Sequence, residues 1–108
     1  MSLTGQFTAY AAKDIDAIDA MFADDIQLRD WKISVSGKAA AMSETRKNFA
    51  AAEALTIDIL ACYAQGQSVA GGLKIVANHS EMLYVVDVVT FNELGQISTI
   101  RAYLGRGD

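Results

Sequence analysis

The sequence has no proline, one cysteine (Cys62) and one histidine (His79), and each scarcity narrows what the protein can be. A single cysteine excludes a disulfide within the chain and is typical of a reducing compartment, so we predict a cytoplasmic protein. One histidine, without further ligands at metal-binding spacing, predicts that no zinc site is present. No turn of the chain can depend on proline.

Basic residues and long apolar runs are also scarce. The chain carries 9 basic against 13 acidic residues, for a net charge of −4, and its basic residues are scattered. Binding to nucleic acid needs a basic stripe or patch, so we predict no nucleic-acid partner. The apolar runs are far shorter than the roughly 20 residues of a membrane span, and the first residues lack the pattern of a signal peptide. We therefore expect no membrane partner.

The composition is that of one folded domain. Hydrophobic residues make up 52% and charged residues 20% of the 108 positions, which is enough apolar surface for a core. We predict a single domain covering residues 1–108.

Three helices are predicted in the N-terminal half of the chain. The first covers residues 3–12. The second follows Asp14, an N-cap candidate, and ends near residues 23–25. The third covers residues 38–52, where alanine is frequent, and it starts after the break at Gly37.

Alternation of period two predicts the strands. They cover residues 26–31, 55–63, 69–77, 84–91 and 96–105. The order of elements predicts an α+β fold, in which a cone-shaped, curved antiparallel sheet and three N-terminal helices enclose an apolar pocket. On the strand that begins at residue 55, Cys62 is expected to be a buried thiol.

Two carboxylates fall on apolar strand faces, where a charge is costly unless it is paired, hydrogen-bonded or neutralised. Asp87 shares its face with Val85, and Asp30 shares its face with Leu28. For each there is a structural and a functional interpretation. Asp30 is either a strand-end residue that caps a turn or pairs with a basic neighbour, or a proton acceptor. Asp87 is either a structural buried acid or a neutral hydrogen-bond donor.

The motif Phe22-Ala-Asp-Asp25, followed five residues later by Asp30, and the ending Thr90-Phe-Asn with Arg101-Ala-Tyr-Leu-Gly105 resemble the nuclear transport factor 2-like superfamily. Within it, the chain is most similar to the steroid Δ5-isomerase (ketosteroid isomerase) and polyketide cyclase group. The resemblance covers nearly the whole chain. It is more specific for fold than for activity, because this fold hosts enzymes, ligand binders and assembly domains.

The resemblance implies a cofactor-free, isomerase-like proton-transfer enzyme that acts on a small apolar carbonyl compound, steroid-like or polyketide-like. Asp30 falls on the family's general base, and Asp87 on its protonated aspartic acid, which holds the enolate oxygen. The family's oxyanion-hole tyrosine is replaced by Gln6. Tyr10, one helical turn further on, is the other candidate for this second donor.

The same resemblance implies a pocket and a dimer. The residues expected to contact the ligand are Ile26, Leu28, Trp31, Phe49, Val85, Val89, Phe91, Ala102 and Leu104. Thr99, Arg101 and Tyr103 would form a homodimer surface. Epoxide hydrolases of this fold use an Asp-Arg-Asp trio, but Arg101 alternates away from the apolar face and does not complete one. The alternative function is a non-catalytic binder of a small hydrophobic ligand.

Overall fold

The structure, a computed structural model, describes residues 3–107 and folds this part of the chain into three helices and six strands. The helices are α1 (Leu3–Ala11), α2 (Ile15–Met21) and α3 (Lys38–Ala51). The strands are β1 (Phe22–Arg29), β2 (Ser34–Ser36), β3 (Leu55–Gln65), β4 (Ser68–Ala77), β5 (Glu81–Phe91) and β6 (Ile97–Leu104). None of the helices within residues 3–107 is long and apolar enough to cross a membrane.

The strands form one curved sheet in the order β2-β1-β6-β5-β4-β3, which confirms the predicted α+β fold. One detail differs from the prediction, because β1 pairs with β6 in parallel and the sheet is therefore mixed. The remaining pairs are antiparallel. The parallel pair arises because the chain leaves β1, passes through the other strands and returns to place its last strand beside its first. The short edge strand β2 was not predicted.

The predicted start of α2 is confirmed, whereas its predicted end is too late. The Asp14 carboxylate accepts a hydrogen bond from the amide of Ala17 at 3.1 Å, as an N-cap residue should. The helix stops at Met21 because Phe22 already has the extended conformation of a strand. Residues 23–25 therefore belong to β1, and Asp24 and Asp25 are exposed where its pairing with β6 is irregular.

A bulge in β3 reverses the faces that alternation predicts for the end of this strand. Ile59 pairs with Leu73 but Ala61 pairs with Gly72, so Leu60 is an extra residue without a partner. An extra residue moves every later side chain to the opposite face. Tyr63 consequently points to the outer face and is 72% exposed. Cys62 is exposed rather than buried, which corrects the expectation for this thiol.

The core lies between the helices and the inner face of the sheet. Ile18 of α2, Ile26 of β1, Val89 of β5 and Ile97 of β6 are all fully buried in one cluster. Phe7 of α1 and Met42 of α3 close this cluster from the helical side. The remaining part of the inner face, toward the Leu83 end of β5, is covered less tightly and borders a cavity.

Candidate functional site

A cavity of about 360 Å³ lies between α1, α3 and the inner face of the sheet. This volume is in the lower part of the range of small-molecule sites, about 300–1,000 Å³. Most of its wall is apolar, and the polar groups that reach it include Gln6, Tyr10, Asp30 and Asp87. The four residues come from one helix, the end of β1 and the middle of β5, and the fold brings them to one space.

Asp87 faces the cavity because it alternates inward with Val85 and Val89 along β5. Its neighbours across the sheet are Gly71 of β4 and Ala102 of β6, so neither adjacent strand places a large side chain beside its carboxyl group. The carboxyl has no hydrogen-bond partner among residues 3–107. Burial, and to a lesser extent the nearby negative charge of Asp30, together raise the pKa of Asp87 to about 7.

Asp30 lies one residue beyond β1, and its two carboxylate oxygens differ in their surroundings. Oδ1 accepts hydrogen bonds from the amides of Lys32, at 2.7 Å, and Ile33, at 2.8 Å, in a tight turn. Oδ2 has no partner within the described part of the chain, and Asp30 borders the cavity. The structural interpretation of Asp30 as a turn cap thus holds for one oxygen, while the other remains available to a ligand.

Tyr10 presents its hydroxyl group to the cavity in a fixed orientation. Asn48 of α3 donates a hydrogen bond from Nδ2 to the Tyr10 hydroxyl oxygen at 2.9 Å, and the Phe49 ring packs edge-on against the Tyr10 ring with centroids 4.9 Å apart. Because the oxygen already accepts a bond from Asn48, its own proton is free to be donated elsewhere. Burial, followed by the charges of Asp87 and Asp30, raises the pKa of Tyr10, whereas the bond from Asn48 lowers it.

Replacing Asn48 with leucine is expected to raise the pKa of Tyr10, because the phenolate would lose its hydrogen-bond donor. Asn48 is exposed, so the fold should tolerate the change. The shift is measured by titrating the ultraviolet absorbance of tyrosinate. The titration curve of Tyr10→Phe is subtracted, which removes the absorbance of the other three of the four tyrosines. Ser43→Leu, at another exposed position of α3, is the control. An unchanged titration midpoint in Asn48→Leu would contradict the assigned hydrogen bond.

Gln6 is buried on α1, one turn before Tyr10 and on the same side of the helix. It is only 4% exposed. Its Oε1 is buried without a hydrogen-bond partner in the part of the chain that the structure describes. Gln6 borders the cavity, whereas this oxygen itself is buried away from open space.

The structure brings eight of the predicted site residues to the cavity and leaves five outside it. Those that border the cavity are Gln6, Tyr10, Leu28, Asp30, Trp31, Val85, Asp87 and Ala102. Those that do not are Ile26, Phe49, Val89, Phe91 and Leu104, which the structure places outside this cavity. Ile26 and Val89 are fully buried in the core, and Phe49 and Phe91 pack against it, because helices cover that half of the sheet. Leu104 lies at the open end of β6 and is half-exposed.

Sequence reasoning missed two polar cavity residues on α3, Thr45 and Asn48. Thr45 is buried and donates its hydroxyl to the carbonyl of Ala41 at 2.9 Å. It lies three residues after Met42 and four before Phe49, so the helical spacing of the buried stripe could have identified it. No pattern of nearby residues identifies Asn48 as a cavity residue, because its hydrogen-bond partner Tyr10 is 38 residues away along the chain. Lys32 and Glu81, also missed, lie at the border of the cavity.

The described residues include no group of three or more histidine, cysteine, aspartate or glutamate side chains that could together hold a metal ion. His79 lies in the turn between β4 and β5, where Asn78 and His79 both have positive φ angles. Positive φ angles at two successive residues are typical of the type I′ turn, and the amide of Ser80 closes this turn by donating a hydrogen bond to the carbonyl of Ala77.

Solved structures that share the fold of this chain include proteins to which different activities are assigned. A SnoaL-like protein of unknown function from Burkholderia thailandensis shares 19% identity with a TM-score of 0.85, over 95% of this chain and 91% of that one. A provisionally assigned ketosteroid isomerase from Kribbella flavida shares 14% identity with a TM-score of 0.83, over 97% and 76% of the two chains. An epoxide hydrolase of the LEH-like type from Mycobacterium tuberculosis shares 18% identity with a TM-score of 0.80, over 95% and 79%.

Identities this low establish the fold and leave the activity open. No curated protein sequence matches the chain. The model of the SnoaL-like domain family, in contrast, matches residues 3–100, which is nearly the whole chain. The match agrees with the curved sheet and the three helices. The chain therefore belongs to the SnoaL-like domain family, within the nuclear transport factor 2-like superfamily.

Proposed function

We propose that the protein is a cofactor-free proton-transfer enzyme that isomerises a small carbonyl compound, steroid-like or polyketide-like, bound in the cavity. The observation that supports this most is the meeting of Asp30 and Asp87 at one cavity, close enough for one charge to raise the pKa of the other carboxyl. Two carboxyl groups in different environments are suited to different roles, one as a base and one as a neutral donor.

In the proposed reaction, Asp30 uses its uncommitted Oδ2 to remove a proton from the carbon next to the carbonyl group. The electron pair of the broken C–H bond moves to the carbonyl oxygen and forms an enolate. The neutral carboxyl of Asp87 and the hydroxyl of Tyr10 donate hydrogen bonds to this oxygen. Asp30 then returns the proton to another carbon of the conjugated system, so the double bond moves and no other reactant is consumed.

The donors are suited to an enolate because they occupy a site largely shielded from water. Removing one such donor commonly lowers the rate by about 10²–10³-fold. The pKa of Asp87, raised to about 7, keeps a large share of this carboxyl protonated near neutral pH. Asn48 fixes the direction of the Tyr10 hydroxyl, so this donor needs little reorganisation when charge develops on the oxygen.

An epoxide hydrolase is the activity named for one structural neighbour, and the cavity gives it less support. Activating an epoxide through an aspartate-arginine-aspartate trio needs an arginine beside the carboxylates. Arg101 is exposed and pairs with Val88 on the outer face of the sheet. Within residues 3–107, the side chains that border the cavity include Lys32 but no arginine.

The test is exchange of carbon-bound hydrogen in deuterated buffer. The protein is incubated with β,γ-unsaturated ketones of increasing size, from a cyclic enone to a steroid, and exchange and double-bond migration are followed by nuclear magnetic resonance. We expect both to exceed the rate in buffer for at least one ketone. If ketones raise the thermal unfolding midpoint but none exchanges, the protein is a binder without catalysis.

We also propose that the outer face of β5 and β6 is a homodimer surface. Val86 and Tyr103 are cross-strand neighbours on this face and are 44% and 45% exposed, and Arg29 lies 5.9 Å from the centre of the Tyr103 ring. Val86→Glu is expected to shift the protein from dimer to monomer in sedimentation at micromolar concentration. Leu94→Glu, in the turn after β5, is the control. A wild-type protein that sediments as a monomer would contradict the surface.

A further inference from the structure

Lys32 is the single basic residue among those of residues 3–107 that border the cavity. It is exposed, and its ammonium group takes no part in the two ion pairs within the described part of the chain, which join Lys38 to Asp19 and Lys47 to Glu44. The proposed proton transfer gives this positive charge no role. A cation at the border of a cavity that otherwise carries acidic groups affects which ligands bind there.

The turn after β1 holds the backbone of Lys32 close to the proposed base. The amides of Lys32 and Ile33 donate hydrogen bonds to Asp30 Oδ1 at 2.7 and 2.8 Å, and the Asp30 amide donates to the Ile33 carbonyl at 3.0 Å. The side chain of Lys32 remains flexible, because a lysine carries its ammonium group on a four-carbon stem. The charge is therefore open to solvent and able to reach a ligand held beside Asp30.

Glu81 also borders the cavity, but it is too far from the proposed chemistry to contact the same small molecule. Glu81 and Asp87 lie on one strand, β5, and are six residues apart. A strand rises by about 3.3 Å per residue, which places their Cα atoms about 20 Å apart. A two-ring ketone whose carbonyl group lies at Asp87 is much shorter than this distance. Such a ligand meets the charge of Lys32 and not that of Glu81.

We propose that Lys32 binds a carboxylate of the ligand, so that the site takes a keto acid whose acidic group stays at the border of the cavity. This inference rests on the proposed function, in which the carbonyl oxygen of the same ligand lies at Asp87 and Tyr10. The negative charge of Asp30 repels an acidic ligand, and Lys32 offsets this repulsion because it brings a positive charge to the same turn. The carboxylate keeps part of its hydration, since Lys32 is exposed.

A carboxylate fits this border better than a phosphate group does. A phosphate group carries nearly two negative charges, and proteins usually hold it with arginines or with the amides of a helix N-terminus. Within residues 3–107, the border of the cavity offers one lysine and no arginine. Asp30 would also repel two charges more strongly than one.

The experiment compares tetralone carboxylic acids, which carry one carboxylate on the aromatic ring, with their methyl esters. Affinities are measured by quenching of the fluorescence of Trp31, the single tryptophan, which borders the cavity. In the wild type, at least one acid should bind about fivefold more tightly than its ester in about 0.01 M salt, as a well-placed exposed ion pair allows. In about 1 M salt this preference should disappear, because salt screens exposed charges.

Lys32→Gln is expected to bind the acid no more tightly than the ester. Glutamine keeps the backbone amide that donates to Asp30, and the position is exposed, so the turn should survive. Lys74→Gln is the control, because it removes a lysine of β4 that does not border the cavity. This variant should retain the preference for the acid.

The inference is overturned if no acid binds the wild type more tightly than its ester, if Lys32→Gln keeps the preference, or if the preference persists in concentrated salt. Failure of the proton-transfer proposal gives a different result. Carbon-hydrogen exchange would then be absent for acids and esters alike, while the preference for the acid and its loss in Lys32→Gln remained.

Discussion

Replacing Asp30 with asparagine is expected to lower the rate of carbon-hydrogen exchange about a hundredfold or more, because the positioned base would be lost. Asparagine keeps an Oδ1 that can accept the hydrogen bonds from the amides of Lys32 and Ile33, so the turn should survive. Its amide nitrogen replaces Oδ2 and cannot accept a proton. The variant therefore separates the chemical role of Asp30 from its role in the turn.

The comparison uses the same ketone, in deuterated buffer, for the wild type and the variant. Asp25→Asn is the matched control, since Asp25 is exposed in β1, the strand that precedes Asp30, and does not border the cavity. It should leave the exchange rate within about twofold of the wild-type rate, because surface substitutions rarely disturb a distant site. Equal rates for wild type and Asp30→Asn would remove Asp30 from the mechanism, even if the ketone bound to both.

Replacing Asp87 with asparagine is expected to remove a large part of the pH dependence of stability. The pKa of Asp87 is raised from 3.8 to about 7 in the folded protein. Below the unfolded-state pKa, the carboxyl is protonated in both states, so its titration does not change the free energy of unfolding. As pH rises toward 7, the unfolded state releases its proton first, so the wild type loses stability.

The expected size follows from the shift of about three pKa units, at about 1.4 kcal/mol per unit. Between about pH 4 and about pH 8, the free energy of unfolding of the wild type should fall by about 4 kcal/mol relative to Asp87→Asn. Urea denaturation at both pH values measures this difference. Asp58→Asn, at an exposed carboxylate of β3, is the control and should follow the wild type. A difference between wild type and Asp87→Asn that is constant with pH would show that Asp87 titrates as in the unfolded chain.

The fold and part of the site follow from local patterns in the sequence. The N-cap at Asp14 and the three helices are visible because capping and helix propensity act over a few residues. Asp87 is identifiable as inward-facing because it alternates with Val85 and Val89 on one strand. The assignment of Asp30 and Asp87 to one site came from the family resemblance, since their separation along the chain gives no local signal.

Other features could not be predicted because they depend on long-range pairing. The bulge at Leu60 depends on how β3 pairs with β4, and it reversed the faces of Cys62 and Tyr63. The hydrogen bond from Asn48 to Tyr10 joins two helices that are distant in sequence. Which apolar residues border the cavity depends on how far the helices cover the sheet, and this placed Val89 in the core and Val85 at the cavity.

The sequence by itself determined the α+β class, the helix starts and the two acidic residues on apolar faces, because each depends on neighbours within a few positions. Tertiary structure decided the rest. It paired β1 with β6 in parallel and brought both carboxyl groups to one cavity. It also bound one oxygen of Asp30 in a turn, and it buried Gln6 Oε1 without a hydrogen-bond partner among residues 3–107. These features arise from packing between distant segments, which a pattern of nearby residues does not encode.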